Sequence, residues 1–270
     1  NRMASLISEK IKKQYVFKEK KYLNFQIKLY PLINKINIIL SFFYLRLFHK
    51  KTIVKNDKVL NQINFDEQAH EYNKKGYTFI ENIIDNEFHA NMVKSWPKQI
   101  LFRPKYQIEK SYFTGFKYKR GWDTSPNIEH YPYLEKFYKI IQSKNFSENL
   151  KKLNYDKYNL SSVSMTASLA LNGSILFPHV DDIAITHAKK IESLSMLNCI
   201  FFIYANPNKT STGGTGIYKD NEFITKIFEP KNLNNSLLIY KTDKDFFHGF
   251  RELPKNSYRY AITAQFNQQE

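Results

Sequence analysis

Two histidines, an aspartate and an arginine in this chain have the spacing that metal-centred chemistry needs. His179 and Asp181 stand two residues apart in Phe177-Pro178-His179-Val180-Asp181. On a β-strand, residues i and i+2 project from the same face, so both side chains can converge on one point. His248 follows 67 residues after Asp181, inside Phe246-Phe247-His248-Gly249-Phe250. Two imidazoles and one carboxylate can take one face of an octahedron around Fe(II), leaving the other positions for a cosubstrate and O2. Eleven residues beyond His248 comes Arg259, in a segment from Tyr258 to Phe266 that alternates as a strand does. A guanidinium fixed there could grip a carboxylate through two parallel hydrogen bonds.

Plainer readings compete with this one. His179 and Asp181 could be an ordinary hydrogen-bonded pair. Asp182 and His187 are rival ligands. The i, i+2 rule turns Asp182 to the opposite face, and His187 lies among lysines in a segment that reads as a solvated loop. Arg251, three residues after His248, is a rival for the carboxylate. Arg259 is preferred because its strand is expected to run beside the one carrying His248, with Arg251 in the loop between.

The order His-x-Asp, His, then a basic residue resembles the Fe(II)/2-oxoglutarate-dependent oxygenase superfamily, and its prolyl-4-hydroxylase-like branch in particular. Gly213-Gly214-Thr215-Gly216-Ile217-Tyr218 is similar to that family's Gly-Gly turn before a strand. The stretch from Asn235 to Tyr240 is similar to the strand leading to the second histidine. The stretch from Phe79 to Phe88 looks like the family's opening strand and helix. The resemblance covers about residues 64–268. It implies a double-stranded β-helix, with His179, Asp181 and His248 as metal ligands and Arg259 on the distal carboxylate of 2-oxoglutarate. It also implies O2-dependent decarboxylation to succinate and CO2, coupled to hydroxylation. Asp181 argues against halogenation, since halogenases of this class lack the carboxylate. Two departures stand out. A tyrosine common about nine residues before the first histidine is replaced near Ala170, and Ala261 sits where many members carry the serine of Arg-x-Ser.

Ahead of this core, helical signals dominate. Residues 66–75 carry acids first and lysines last, and Gly76 is a stop. A strand is expected from Tyr77 to Ile83, then a helix capped by Asp85 or Asn86 and closed by Pro97. Residues 102–127, with Tyr118, Arg120 and Trp122, show no clear period; the resemblance implies a segment that covers the site's mouth, and ordinary loop packing is the other reading. One or two helices fit 131–153. From Leu160 the period becomes two, with Asn172-Gly173 as a turn and an apolar strand from Leu197 to Tyr204. Short strands are expected at 215–219, 222–228, 236–241 and 257–267. Helices first and strands after argue for a mainly β protein, a jelly-roll core with helical support.

The charge is uneven. Of the net +16, residues 1–60 carry +11, from 14 Lys and Arg against 3 Asp and Glu. This defines a basic helical N-terminal extension, 1–62, ahead of an oxygenase domain, 63–270. Within the extension, residues 36–48 are strongly apolar, yet too short and too interrupted by Arg46 to span a bilayer. No small-residue cleavage site follows them. The stripe reads as a helix packed on the domain or on a second subunit, or as an interfacial helix on anionic lipid. A nucleic-acid tether needs no such stripe, which disfavours but leaves open a nucleic-acid partner. The single cysteine, Cys199, excludes a multi-cysteine metal site and fits a reducing, cytoplasmic setting.

The sequence thus leads to an Fe(II)-, 2-oxoglutarate- and O2-dependent dioxygenase acting on a peptidyl or small-molecule substrate. The alternatives are a metal-free jelly-roll binding module, or an oxygenase acting on a nucleic-acid or lipid/glycan substrate.

Overall fold

The computed structural model describes residues 32, 35–36, 39–40, 43–48, 53–54, 58–105, 119–123, 130–153, 158–180, 197–241 and 246–268. Its elements, in chain order, are α1 (Phe65–Lys75), β1 (Tyr77–Glu81), α2 (Asn86–Lys94), β2 (Arg103–Lys105), β3 (Lys119–Asp123), α3 (Pro132–Ile141), α4 (Lys144–Lys151), β4 (Tyr158–Leu171), β5 (Leu176–His179), β6 (Leu197–Asn206), β7 (Gly216–Tyr218), β8 (Lys226–Phe228), β9 (Ser236–Lys241), β10 (Phe247–Phe250) and β11 (Tyr258–Gln268).

Local chemistry explains the helix ends. Asn64 caps α1 by accepting from the Glu67 N–H, and Gly76 ends it at φ 77°. Only glycine takes that left-handed conformation without a Cβ penalty. Asp85 caps α2 by accepting from the N–H groups of Glu87 and Phe88. Pro132 opens α3, where its missing N–H costs nothing, and the Ser143 side chain caps α4.

The strands form two antiparallel sheets. The large sheet has the order β1-β9-β6-β11-β4-β3-β2, and the small one β5-β10-β7-β8. Alternation along the strands makes two cores. Ile262, Ala264 and Phe266 of β11 face the helices, joining Phe201 of β6, Phe137 of α3 and Phe146 of α4. The Phe137 and Phe201 rings meet edge-on at 5.1 Å. Burying each such ring is worth about 1.5–3 kcal/mol. Ala261 of β11 faces the other way, with Ile200, Phe202, Leu238 and Tyr240, toward Ile217 of the small sheet. The architecture is the expected jelly roll, helices covering the outer face of the large sheet and the small sheet closing the inner face.

Two expectations need correction. Strand β8 begins at Lys226 and not at 222. The Asp220 carboxylate accepts from the N–H groups of Glu222, Ile224 and Thr225, which folds 222–225 into a turn. The segment 102–127 is not all loop: β2 and β3 pair with each other, and β3 with β4, extending the large sheet. Arg120 and Trp122 lie in β3, while Tyr118 is outside the described residues.

Chain ahead of residue 63 joins the domain. The Asn61 N–H donates to the Ile83 carbonyl and the Asp85 N–H to the Val59 carbonyl, both at 2.9 Å. Asn235 clamps the same loop, its Oδ1 accepting from Ile84 N–H and its Nδ2 donating to Ile84 C=O, each at 2.7 Å. Further back, every described residue between 32 and 48 is helical, and Leu45 is buried in the helix-side core. No helix among the described residues is long and apolar enough to cross a membrane.

Candidate metal centre

The hydrogen-bonding register of the small sheet brings the two histidines together. His248 of β10 pairs directly with His179, the last residue of β5. Their ring centroids are 4.4 Å apart, at 48° to each other. Both are buried. His179 Nδ1 lies 2.9 Å from the Phe177 carbonyl. A carbonyl oxygen only accepts, so Nδ1 carries the proton and Nε2 keeps the lone pair that a metal takes. The Tyr240 ring sits 5.0 Å from that of His248, reaching across from the large sheet.

This pairing depends on an irregularity in β5. The register shifts between His248 and Phe250, so Phe250 faces Leu176 and not Phe177. The extra residue on β5 bulges against Gly249. A Cβ at Gly249 would lie 2.5 Å from the Leu176 carbonyl oxygen, 2.7 Å from Pro178 N and 2.9 Å from the Phe177 carbonyl carbon. All three are backbone atoms, which cannot rotate away as a side chain can. Pro178 is accommodated because β5 is an edge strand and bulged, the two places in a sheet where a missing N–H is tolerated.

Arg259 occupies the other side of the interior. It is 3% exposed. Its strand, β11, pairs with β4 and β6 and not with β10. The expectation that Arg259 runs beside His248 is therefore corrected: it approaches from the opposite sheet. Its guanidinium lies 4.6 Å from the Phe250 ring centre and 5.8 Å from that of Phe202. Nη1 donates to the Gly213 carbonyl and reaches Thr215 Oγ1 at 3.4 Å. Nε is buried without a hydrogen-bond partner. Among the described residues no carboxylate pairs with Arg259, and burial pulls its pKa down to about 10. A buried guanidinium without an anion is costly, and a carboxylate ligand is the group that would relieve it.

Arg251 is placed differently. Its Nε lies 3.4 Å from Glu229 Oε1 with the side chain half exposed, and Nη2 donates to the Phe223 carbonyl. It already has an anion. Asp181, Asp182 and His187 are outside the described residues, and the described residues alone contain no cluster of three metal-ligating side chains. Ala170, at the missing-tyrosine position, is buried and sits opposite Arg259 on β4. Cys199 is buried, which pushes its thiol far up in pKa and leaves it inert.

Sequence reasoning did not single out Thr215, Gly249 or Tyr240. Thr215 had one signal: Ala261 at the serine position leaves the guanidinium in want of a hydroxyl from elsewhere. Gly249 had none, because the bulge opposite it is a product of tertiary pairing.

Comparison with known proteins identifies relatives of the fold alone. No protein-family model and no curated protein matches the sequence. Among solved structures, one similar to this chain is a prolyl hydroxylase from Trichoplax adhaerens in complex with a hypoxia-inducible-factor peptide fragment. The two share 13% identity over 76% of this chain and 89% of that one, with a TM-score of 0.52. A Pseudomonas putida prolyl-4-hydroxylase is similar at TM-score 0.51 and 9% identity, covering 76% of this chain and 100% of that one. The epimerase SnoN, in complex with Fe3+, alpha-ketoglutarate and nogalamycin RO, is similar at TM-score 0.51 and 10% identity, over 76% of this chain and 83% of that one. The chain thus shares the fold of prolyl hydroxylases and of a further iron- and 2-oxoglutarate-binding enzyme.

Proposed function

We propose that this protein is an Fe(II)- and 2-oxoglutarate-dependent dioxygenase that hydroxylates a peptidyl or small-molecule substrate. The observation that carries the reading is that two buried, register-matched histidines lie on the small sheet and a buried arginine with no carboxylate partner among the described residues lies on the opposing one. The fold is that of enzymes whose structures hold iron and alpha-ketoglutarate or a peptide fragment. Residues 63–270 form the catalytic unit in this reading, with 1–62 as an accessory extension.

The donor set fits Fe(II) and a dicarboxylate. His179 and His248 would supply two imidazole nitrogens and Asp181 the carboxylate, a set suited to Fe(II) with open positions. When bound, iron and 2-oxoglutarate together supply the oxidising power that O2 alone does not deliver to an unactivated C–H bond. The remaining roles belong to the chain. The Phe177 carbonyl holds the His179 ring in the tautomer that presents Nε2 inward. Tyr240 packs on His248 and limits its rotation. Arg259 binds the distal carboxylate of the cosubstrate in a site where low dielectric strengthens the pair. Thr215 supplies the hydroxyl that Ala261 cannot. Phe250 and Phe202 flank the guanidinium and exclude water from it.

The test is succinate formation from 2-oxoglutarate by purified full-length chain with Fe(II), first without substrate and then with prolyl peptides and small-molecule panels. Iron-dependent succinate stimulated by one substrate class supports the reading and names the class. Absence of both iron binding and turnover would leave the metal-free binding module as the better account.

A further inference from the structure

The described residues between 32 and 48, all helical, use one face on the domain and leave another uncovered. Leu45 is buried in the core, and Tyr44 packs against the same cluster. By contrast, Leu32 is 56% exposed, Ile36 48%, Ile39 54%, Leu40 47% and Leu47 69%. At 3.6 residues per turn, these five positions and half-exposed Phe43 fall within an arc of about 100°, with Leu45 on the opposite side and exposed Phe48 between the arc and Leu45. Lys35 and Arg46 border the arc along one edge by the same geometry. Anchoring by Leu45 therefore holds an apolar stripe outward, with cations beside it.

We propose that this stripe is a docking surface for an anionic lipid membrane, with the helix lying in the interface plane. Two possible covers, lipid or a second copy of the chain, differ in charge. Residues 1–60 carry a net +11. Pairing two copies through this helix would set +11 against +11, whereas an anionic bilayer complements it. An amphipathic helix with apolar residues on one face and Lys and Arg at its border is the pattern of an interfacial helix. No helix among the described residues is long and apolar enough to span a membrane. Docking through it would hold the domain at the surface. The proposal stands on the extension alone and does not depend on the chemistry of the metal centre.

Full-length protein is to be sedimented with vesicles of phosphatidylcholine alone, or of phosphatidylcholine mixed with phosphatidylglycerol, at low and high salt. Binding to the mixed vesicles at low salt, reduced at high salt, is expected, because attraction to a charged surface is screened within about 10 Å at roughly 0.1 M salt. Ile39→Glu/Leu47→Glu should lower the partition coefficient at least tenfold. Lys35→Glu/Arg46→Glu should lower it while keeping the stripe apolar. The thermal midpoint of Ile39→Glu/Leu47→Glu should match wild type, since both positions face outward; a marked drop would show that the stripe is packed in the folded protein and overturn the proposal. So would wild-type protein that ignores phosphatidylglycerol vesicles at low salt. A dimer in sedimentation velocity that Ile39→Glu/Leu47→Glu dissociates would assign the stripe to a second copy and overturn it equally.

Discussion

Replacing Arg259 by Met should separate function from stability in a way that a structural arginine would not. The guanidinium is 3% exposed and has no carboxylate partner among the described residues. Its pKa is pulled down to about 10 by burial, so carrying the charge in the interior costs the fold stability. The sign follows from linkage. The unfolded chain holds the proton more tightly, so below about pH 10 the buried charge destabilises the fold, and that penalty is relieved as pH rises above about 10. Met has a similar length, carries no charge and can pack on Phe250 and Phe202. It forfeits the hydrogen bonds to Gly213 and Thr215, worth about 1–3 kcal/mol in sum, and a cation–π contact of about 0.5–2 kcal/mol with Phe250. These losses roughly offset the relief, so the thermal midpoint without 2-oxoglutarate should change by only a few degrees. Binding of 2-oxoglutarate should weaken by about 10- to 160-fold, from the 1.5–3 kcal/mol of a lost charge-assisted bond. Calorimetric titration of the iron-loaded protein measures the affinity, and scanning calorimetry the midpoint. An Arg259→Met protein that unfolds far earlier yet binds 2-oxoglutarate like wild type would refute the reasoning. Arg251→Ala, which breaks a half-exposed pair with Glu229, should change affinity less than about fivefold.

Three further outcomes are expected. Gly249→Ala forces a methyl to within 2.5–2.9 Å of the β5 backbone and should cost about 1–3 kcal/mol, with weaker iron binding because the displaced strand carries His179; equilibrium denaturation and metal analysis report the two effects. Thr215→Val keeps the shape but removes the hydroxyl beside Arg259, and should raise the 2-oxoglutarate dissociation constant about two- to tenfold, an effect of roughly 0.5–1.5 kcal/mol. Removing residues 1–57 should leave iron binding and uncoupled decarboxylation intact at the stability cost of the Leu45 and Tyr44 contacts with the core, whereas removing 1–62 also deletes the Val59 and Asn61 bonds to 83–85 and should destabilise the domain by about a further 1–3 kcal/mol, measured by denaturation of both truncated chains.

Much of this molecule is written in local patterns. The acids, lysines and glycine of residues 66–76 specify α1 and its stop, period-two alternation marks β4 and β11, and unbroken apolar runs mark β6 and β9. His179 and His248 stood out as candidates because imidazoles are metal-binding side chains, and the structure pairs the two across β5 and β10. What local reading could not supply was pairing. Strand β11 looks as if it should neighbour β10, since only a short loop separates them, yet sheet order places them in opposite sheets and sets Arg259 across the interior. Thr215 reaches Arg259 from 44 residues upstream, a proximity no spacing rule encodes. The turn at 222–225 was masked by its apolar residues, Phe223 and Ile224, while the side chain that folds it, Asp220, stands outside it. The apolar stripe at 36–48 was visible, but the depth of Leu45 decides which face is free, and depth is a tertiary property.

The central claim is that His179 and His248 hold iron for turnover of 2-oxoglutarate. Iron content and succinate formation, measured together on wild type, His179→Ala and His248→Ala, test it most directly. The account predicts about one iron per wild-type chain and iron-dependent succinate, with each variant folded, binding Fe(II) at least about 100-fold more weakly, and inactive. Either variant retaining wild-type iron affinity and succinate formation would contradict it.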